Sequence, residues 1–435
     1  MKLSSEALSA TLENELGAEA VETKPHSLAS HAVDGKVPTL LCLPATPEQV
    51  GSVLRLCAEA HASVIPWGGG TSMSIGNIPR QADVVVGLER LDKLIEHDDA
   101  NLTATAQAGM RVASFQQILG QRRQFLAVDA PHPSQATLGG MVAANVNGPR
   151  RLLYGGLRDL VIGMKMALAS GEGIKAGGKV VKNVAGYDMC KLFVGSLGTL
   201  GIITEVTFKV GPVPQGAASF IASGPSDQCA RFADQLLCSP LLPAAVAILS
   251  ADAVRVSGSD SRTPVIVIWV EGFEEAIARQ LRDLGELAQQ VGLASELLRD
   301  EPHGELWEEI ENFGANGDGV LYRITVPVGS VAEVLAQVDR WSRSEKSARY
   351  VAHAGTGTLW LLLDSDSSSV RWFPRIAALA QSRRGHAVIA AAPAGLKEGL
   401  DVWGTAPPSL AIMREIKRQF DPQGILNPGR FLAGV

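Results

Sequence analysis

Three glycine-rich stretches, each set beside β-branched or small residues, constrain this chain more than any other feature. The first, Pro66-Trp67-Gly68-Gly69-Gly70-Thr71-Ser72, follows a strand-like run. It lacks the GxGxxG spacing that leads into a Rossmann helix, which disfavours a nicotinamide fingerprint. Without Cβ atoms, successive backbone N–H groups can converge on an anion, and the Thr71 and Ser72 hydroxyls add donors, a combination suited to a pyrophosphate. Taken alone, an ordinary glycine-rich turn explains the stretch better. The second, residues 136–145, holds Thr137, Leu138, Gly139, Gly140, Ala144 and Asn145, and can bring another backbone patch and a hydroxyl to the same ligand. The third, residues 195–204, places Gly195, Gly198 and Gly201 next to Ile202 and Ile203, where backbone can approach a ligand beside a buried strand. Turns alone do not readily explain all three.

A chain of 435 residues, 46% hydrophobic and 19% charged, is long enough for two or three domains with buried cores. Its formal net charge of −6 offers no basic footprint for nucleic acid. The N-terminal MKLSSEALSATLENELG has no charged region followed by an apolar one, and Leu8, Leu12 and Leu16 before Gly17 predict a short amphipathic helix. The most apolar runs, VIVIWV and LWLLLD, are strand-length, so a cytoplasmic protein is expected, with any membrane association peripheral or through a partner. Cys42, Cys57, Cys190, Cys229 and Cys238 form no CxxC pair or iron–sulfur ligand run and read as small buried hydrophobes. An iron–sulfur cluster, if one takes part, belongs to another polypeptide.

Along the chain, VPTLLCLP, a helix beginning after Thr46 and the run ASVIPW predict strand, helix, strand. Thr46 is placed as N-cap, Pro47 at the first helical position and Gln49 at the capping-box position. From about residue 83 to 215 short β-like runs alternate with brief helices such as VASFQQIL. From 216 to 400 strands followed by helices suggest an antiparallel sheet covered by helices on one face. The fold class is α+β, divided into an N-terminal lead-in (1–36), a ligand domain (37–213), a second α+β domain (214–400) and a closing segment (401–435). In that last segment Leu410, Ile412, Met413, Ile416 and Phe420 are expected to be the buried side of a helix.

In combination the three glycine stretches resemble the FAD domain of the vanillyl-alcohol-oxidase/p-cresol-methylhydroxylase family. There the first loop, a TxGG segment and a GSxGxLGIIT segment surround an extended FAD, the last near its adenine or ribityl group. The resemblance covers about residues 37–213 and implies a PCMH-type FAD-binding domain followed by a cap on the substrate side. The stretch Lys182-Asn183-Val184-Ala185-Gly186-Tyr187-Asp188, running into the third glycine segment, is similar to one characteristic of the smaller flavin subunit of glycolate oxidase. This likeness implies a larger, paralogous flavin subunit and an iron–sulfur subunit as partners, and a small 2-hydroxy acid as substrate. Phe420-Asp421-Pro422 and Leu426-Asn427-Pro428-Gly429-Arg430 resemble the family's closing motif, which returns to the flavin domain near the isoalloxazine.

Residues 66–76 contain no histidine of the kind that carries covalent flavin in some relatives, and His132 is the nearby alternative, so FAD is expected to be non-covalent. The run 350–360, YVAHAGTGTLW, resembles the HxGDGNxH motif of the larger subunit and of related 2-hydroxyacid dehydrogenases, in which both histidines serve the substrate. Here Trp360 stands at the second histidine and Thr356 at the aspartate, which cripples an imidazole/carboxylate metal site and implies no metal. His353 remains as a candidate base or hydrogen-bond donor, alongside a purely structural role. Oxidising a 2-hydroxy acid requires a cation for the carboxylate, a base for the hydroxyl proton and a hydride acceptor. Arg150, Arg151, Arg158, Arg323 and Arg430 are candidates for the first, and Tyr187 and Tyr322 for hydroxyl contacts. His353, Arg430 and Tyr187 form the provisional catalytic set. A self-sufficient D-lactate-type dehydrogenase and a non-catalytic assembly subunit stay open as alternatives.

Overall fold

A computed structural model describes residues 5–179, 187–254, 263–315, 319–344 and 348–435. Residues 182–186 of the glycolate-oxidase-like stretch lie outside them. The N-terminal helix Ser5–Leu16 buries Leu8, Leu12 and Leu16 against the helix Pro47–Ala60. The latter starts as its sequence dictates. Thr46 accepts a hydrogen bond from the Gln49 N–H at 3.2 Å, satisfying an orphan donor of the first turn, and the Gln49 side chain accepts one from Ala45 N–H, just before the cap, at 2.7 Å.

The strands β1 (Val21–Glu22), β2 (Leu40–Cys42), β3 (Val64–Trp67) and β4 (Val84–Gly87) form a four-stranded sheet in the order β1-β2-β4-β3. Its β2, β4 and β3 are parallel, and all four β4 residues are buried, as a sheet covered on both faces requires. Next come β5 (Leu94–Asp98), β6 (Thr103–Gln107), β7 (Gln124–Phe125), β8 (Val161–Ala167), β9 (Gly173–Gly177), β10 (Ile202–Lys209) and β11 (Gly211–Pro212). Five of them make an antiparallel sheet in the order β5-β6-β10-β8-β9, while β7 pairs with β11. One continuous apolar core runs between the helix Pro47–Ala60 and both larger sheets.

The third sheet comprises β12 (Gly216–Ser223), β13 (Ala245–Leu249), β14 (Val265–Gly272), β15 (Ala294–Arg299), β16 (Gly319–Thr325), β17 (Arg349–His353), β18 (Thr358–Asp364) and β19 (His386–Ala391). It is antiparallel throughout, in the order β15-β12-β14-β13-β17-β18-β16-β19. Helices Ser226–Leu237, Glu274–Gln290, Val331–Ser344 and Phe373–Ser382 cover one face. The expectation that only one face carries a helix needs amendment, because Asp300–Glu311 lies on the other. Its Leu306, Trp307 and Ile310 pack on Ile221, Val267 and Trp269, leaving the half of that face built from β18, β16 and β19 without a helix of its own.

Two further expectations are corrected. Cys42, Cys57, Cys190 and Cys229 are buried, but Cys238, just past the end of its helix, is exposed. The helix Leu410–Phe420 has no fully buried residue, and Ile412 is 65% exposed; its apolar contact with the N-terminal core is through Ile416 and Phe420, and Lys417 donates to the Thr199 carbonyl at 2.8 Å. Beyond it the chain returns to the four-stranded sheet. Ile425 and Asn427 bond to both sides of Val64 at 2.8 Å, adding a short parallel bridge beside β3. Buried Lys397 donates to both Asp34 oxygens at 2.9 and 3.0 Å and to the Ser74 carbonyl at 2.7 Å. Among the described residues no helix is long and apolar enough to cross a membrane.

Asp34 is the counter-ion of both Lys397 and Arg430, whose Nη1 is 3.7 Å away. Asp34→Ala strands two buried cations and should lower unfolding free energy by about 3–5 kcal/mol in chemical denaturation; a change below about 1 kcal/mol would show that water, not Asp34, neutralises them.

Candidate active site

The parallel strand β3 delivers Pro66 and Trp67 to the turn at Gly68, Gly69 and Gly70. A methyl group on Gly68 would sit 2.2 Å from the Thr137 hydroxyl, and one on Gly69 only 1.8 Å from the Gln135 carbonyl oxygen. Glycine is therefore required by close approach, and Gly70 additionally has φ +77°. Thr137 caps the short helix Leu138–Ala144 by accepting from Gly140 N–H at 3.3 Å. The third stretch closes on the same place: Gly198, at φ +68°, lies so near Pro66 that a Cβ would be 2.8 Å from its ring.

One cleft results. It is lined by Pro66, Trp67, Gly68, Gly69, Gly70, Thr71 and Ser72, by Thr137, Gly139, Gly140 and Ala144, and by Gly198, Gly201, Ile202 and Ile203. Leu138, Asn145 and Gly195 stand outside this lining. Leu138 is fully buried in the core, Asn145 ends its helix in a left-handed conformation and holds the Asn147 side chain, and Gly195 packs behind Asn145. Met73, Leu88, Ala143, Leu197 and Asn427 join the lining without having been singled out as contacts. The signal for Asn427 was its place in the closing motif; the apolar four carry no pattern that distinguishes them from core.

Arg430 also lines the cleft and is 2% exposed. Its Nη2 donates to the carbonyls of Met73 (3.0 Å) and Ile75, clamping the segment after the glycine turn. Its Nε and Nη1 have no hydrogen-bond partner, and the buried Oδ1 of Asn427 also lacks one. Burial pulls the guanidinium down to about 10, Asp34 opposing, so it stays charged at neutral pH. Unpaired donors of a buried cation are costly unless a ligand accepts from them. A glycine cradle that any Cβ would fill, beside a buried guanidinium with two donors lacking acceptors, fits an extended anionic cofactor.

A second group of ionisable residues lies where this unit meets the eight-stranded sheet. Arg150 is engaged rather than free: its Nη2 and Nε lie 2.6 and 2.7 Å from Asp129 Oδ1, Glu271 is 3.7 Å away, and the guanidinium stacks 4.5 Å from the Trp269 ring. Tyr154 donates to Glu271, whose other oxygen is buried without a partner. Burial raises the Glu271 carboxyl, and burial beside Asp129 raises Glu311 well above the ordinary carboxylate range. His353, at the end of β17, is buried with Nδ1 unbonded, and desolvation lowers it to about 4, as it does His303, which bonds Ser219 at 2.8 Å. Both imidazoles are neutral at pH 7.

The other candidates lie elsewhere. Tyr187 is 95% exposed and remote from the cleft lining, Arg158 is exposed, and Tyr322 faces the helix-covered side, donating to Ser369 O at 2.6 Å. His132 meets the cap through its backbone, donating its N–H to Asn312 at 3.1 Å. Among the described residues no cluster of His, Cys, Asp or Glu is placed to hold a metal ion.

Residues 38–177 match the family described as FAD binding domain, and residues 405–431 match FAD linked oxidases, C-terminal domain. Between them these segments contain most of the cleft and Arg430. The chain is an FAD-linked oxidoreductase. Its fold is that of p-cresol methylhydroxylase, whose substrate-bound structure superposes with a TM-score of 0.75 at 16% identity over 98% of this chain and 96% of that one. The flavoprotein is also similar to the glycolate oxidase subunit GlcD of Bacillus subtilis, 26% identical over 91% of this chain and 89% of that protein. A D-lactate dehydrogenase of Anaerostipes hadrus is 28% identical over 92% and 90% of the respective chains.

Two measurements follow from this geometry. Gly69→Ala should abolish retention of FAD, read as the ratio of visible to protein absorbance after gel filtration, while Arg430→Met should weaken FAD binding by about 30-fold or more. For His303 and His353 the folded state binds its proton at about 4 and the unfolded state near 6.5. Stability is therefore complete above that unfolded value and falls as pH drops toward 4, by up to about 1.4 kcal/mol per pH unit per histidine, in denaturant titrations at stepped pH.

Proposed function

We propose that this flavoprotein is the FAD-bearing subunit of a glycolate-oxidase-type complex that oxidises a small 2-hydroxy acid to the 2-oxo acid. In this reading a larger paralogous flavin subunit and an iron–sulfur subunit are its partners, and any membrane association of the cytoplasmic complex is peripheral, through them. The observation that carries the reading is the pair of relatives aligned over nine tenths of the chain, named for glycolate oxidase and D-lactate dehydrogenase. The domain division at about residues 36, 213 and 400 belongs to the same proposal, with the eight-stranded unit as cap.

Bound FAD supplies the hydride acceptor. It is held non-covalently in this reading, which is supported by the absence of histidine among the described cleft-lining residues. Arg430 holds the cofactor through Nε and Nη1 while fixing the Met73–Ile75 backbone with Nη2. Arg150, neutralised by Asp129, orders the junction rather than binding substrate. His353 is the candidate proton acceptor for the substrate hydroxyl, since an imidazole kept neutral by burial is in its basic form at working pH. The D-lactate dehydrogenase relative favours a second reading, in which the chain is catalytic without partners.

The test is an absorption spectrum of the chain purified alone, before and after anaerobic addition of glycolate or D-lactate. A yellow protein that releases FAD on denaturation yet is not bleached supports the partner-dependent subunit; bleaching supports the self-sufficient enzyme; a colourless protein overturns both. If His353 is the base, His353→Gln slows flavin reduction about 10²–10⁴-fold in the competent form. The parent rate should then be insensitive to His353 ionisation between pH 6 and 8 and fall only as pH approaches 4.

A further inference from the structure

Arg323 carries a charge that the fold does not answer. It lies half-buried on β16, opposite Trp360 of β18 and Val388 of β19, with its guanidinium carbon 6.0 Å from the Trp360 ring centroid. Arg150 and Arg430 each have a carboxylate within 4 Å, whereas among the described residues none pairs with Arg323. The charged groups nearest to it are the wrong ones. Arg151 and burial both act against its protonated form, and Arg323 in turn lowers His386. A half-buried guanidinium held without a counter-ion costs free energy that an incoming anion would recover.

Register places this charge at the junction. His353 pairs with Thr358 and Arg323 with Trp360, so Arg323 shares a sheet face with His353, two strands across and two residues along. This is the half of the face that the helix Asp300–Glu311 leaves uncovered. Arg151 approaches from the flavin side. Its neighbour Leu152 packs on the β17–β18 turn, where a Cβ on Gly355 would come within 2.6 Å of it, and Arg151 Nε lies beside Asn147, which is tied to the end of the cleft helix at Asn145.

We propose that Arg323, supported by Trp360 and joined by Arg151 across the junction, is the site that holds the substrate's carboxylate. The fork of a guanidinium matches both carboxylate oxygens, and the indole keeps its plane in place without competing for its donors. This rests on the 2-hydroxy acid reading above, and the test separates the two. The probe is 2-hydroxyisobutyrate, a 2-hydroxy acid that has no α-hydrogen to lose and so cannot be oxidised in this way. Its binding to the FAD-loaded chain is measured by calorimetry, with its primary amide as the uncharged control.

The acid should bind and the amide should not, and Arg323→Gln should weaken binding about 30-fold or more. Arg323→Lys, which keeps the charge but loses the fork, should weaken it about fivefold or more and carries the test if the glutamine variant fails to fold. Equal binding of the acid to parent and variants, or none to the parent, overturns the carboxylate site even if hydroxy acids bleach the flavin. Conversely, Arg323-dependent binding with no bleaching by any hydroxy acid, alone or with partners, leaves the anion site standing and removes the oxidation reading.

Discussion

Gly69 passes against the Gln135 carbonyl and Gly68 against the Thr137 hydroxyl, and the cleft exists because neither glycine carries a Cβ. A methyl group at either position would occupy space already taken by oxygen atoms. The approach in turn aligns three segments far apart in sequence: the turn after β3, the short helix Leu138–Ala144 and the start of β10. Gly198 repeats the device against Pro66, so the walls consist largely of main chain, which can offer N–H groups to a phosphate without the entropy of long side chains.

The C-terminal tail completes what those turns begin. It runs beside β3 and places Arg430 over the segment after the glycine turn, where the arginine faces Asp34, the carboxylate it shares with Lys397. Arg430 thus does two jobs from one buried position: Nη2 holds protein carbonyls, while Nε and Nη1 are left without acceptors. Asp34 opposes the burial that works against the charge of Arg430, and the donors without acceptors face the cleft that the proposed function assigns to FAD.

At the junction with the eight-stranded sheet the electrostatics divide in two. Around Arg150 three carboxylates, Asp129, Glu271 and Glu311, outnumber the cation, and burial raises the carboxyls of Glu271 and Glu311. Further along the same sheet Arg323 shows the opposite imbalance, with no carboxylate paired to it among the described residues and exposed Arg151 of the neighbouring unit adding positive charge. The Trp360 indole stands between the sequence motif and the structure: its presence argues against a histidine metal site, and its register explains where a guanidinium can lie instead.

Sequence alone determined what depends on local chemistry. The capped helix after Thr46 and the leucine stripe of the first helix follow from hydroxyl placement and period, both readable without neighbours, whereas the need for glycine at Gly68, Gly69 and Gly198 comes from distant residues packed against them. Likeness of the glycine stretches to a flavin family named the cofactor. Tertiary structure decided everything that depends on which surfaces meet. The helix Leu410–Phe420 has an apolar side, yet its contact with the core reaches only Ile416 and Phe420, so Ile412 faces solvent. Tyr187 sits outside the cleft and Arg150 is consumed by Asp129, whereas Arg430 keeps two donors without acceptors and Arg323 meets no carboxylate among the described residues. Five arginines look alike in a sequence because the side chain is the same; only the fold sets which carboxylate each one meets, and that difference separates a structural ion pair from a site for an anion.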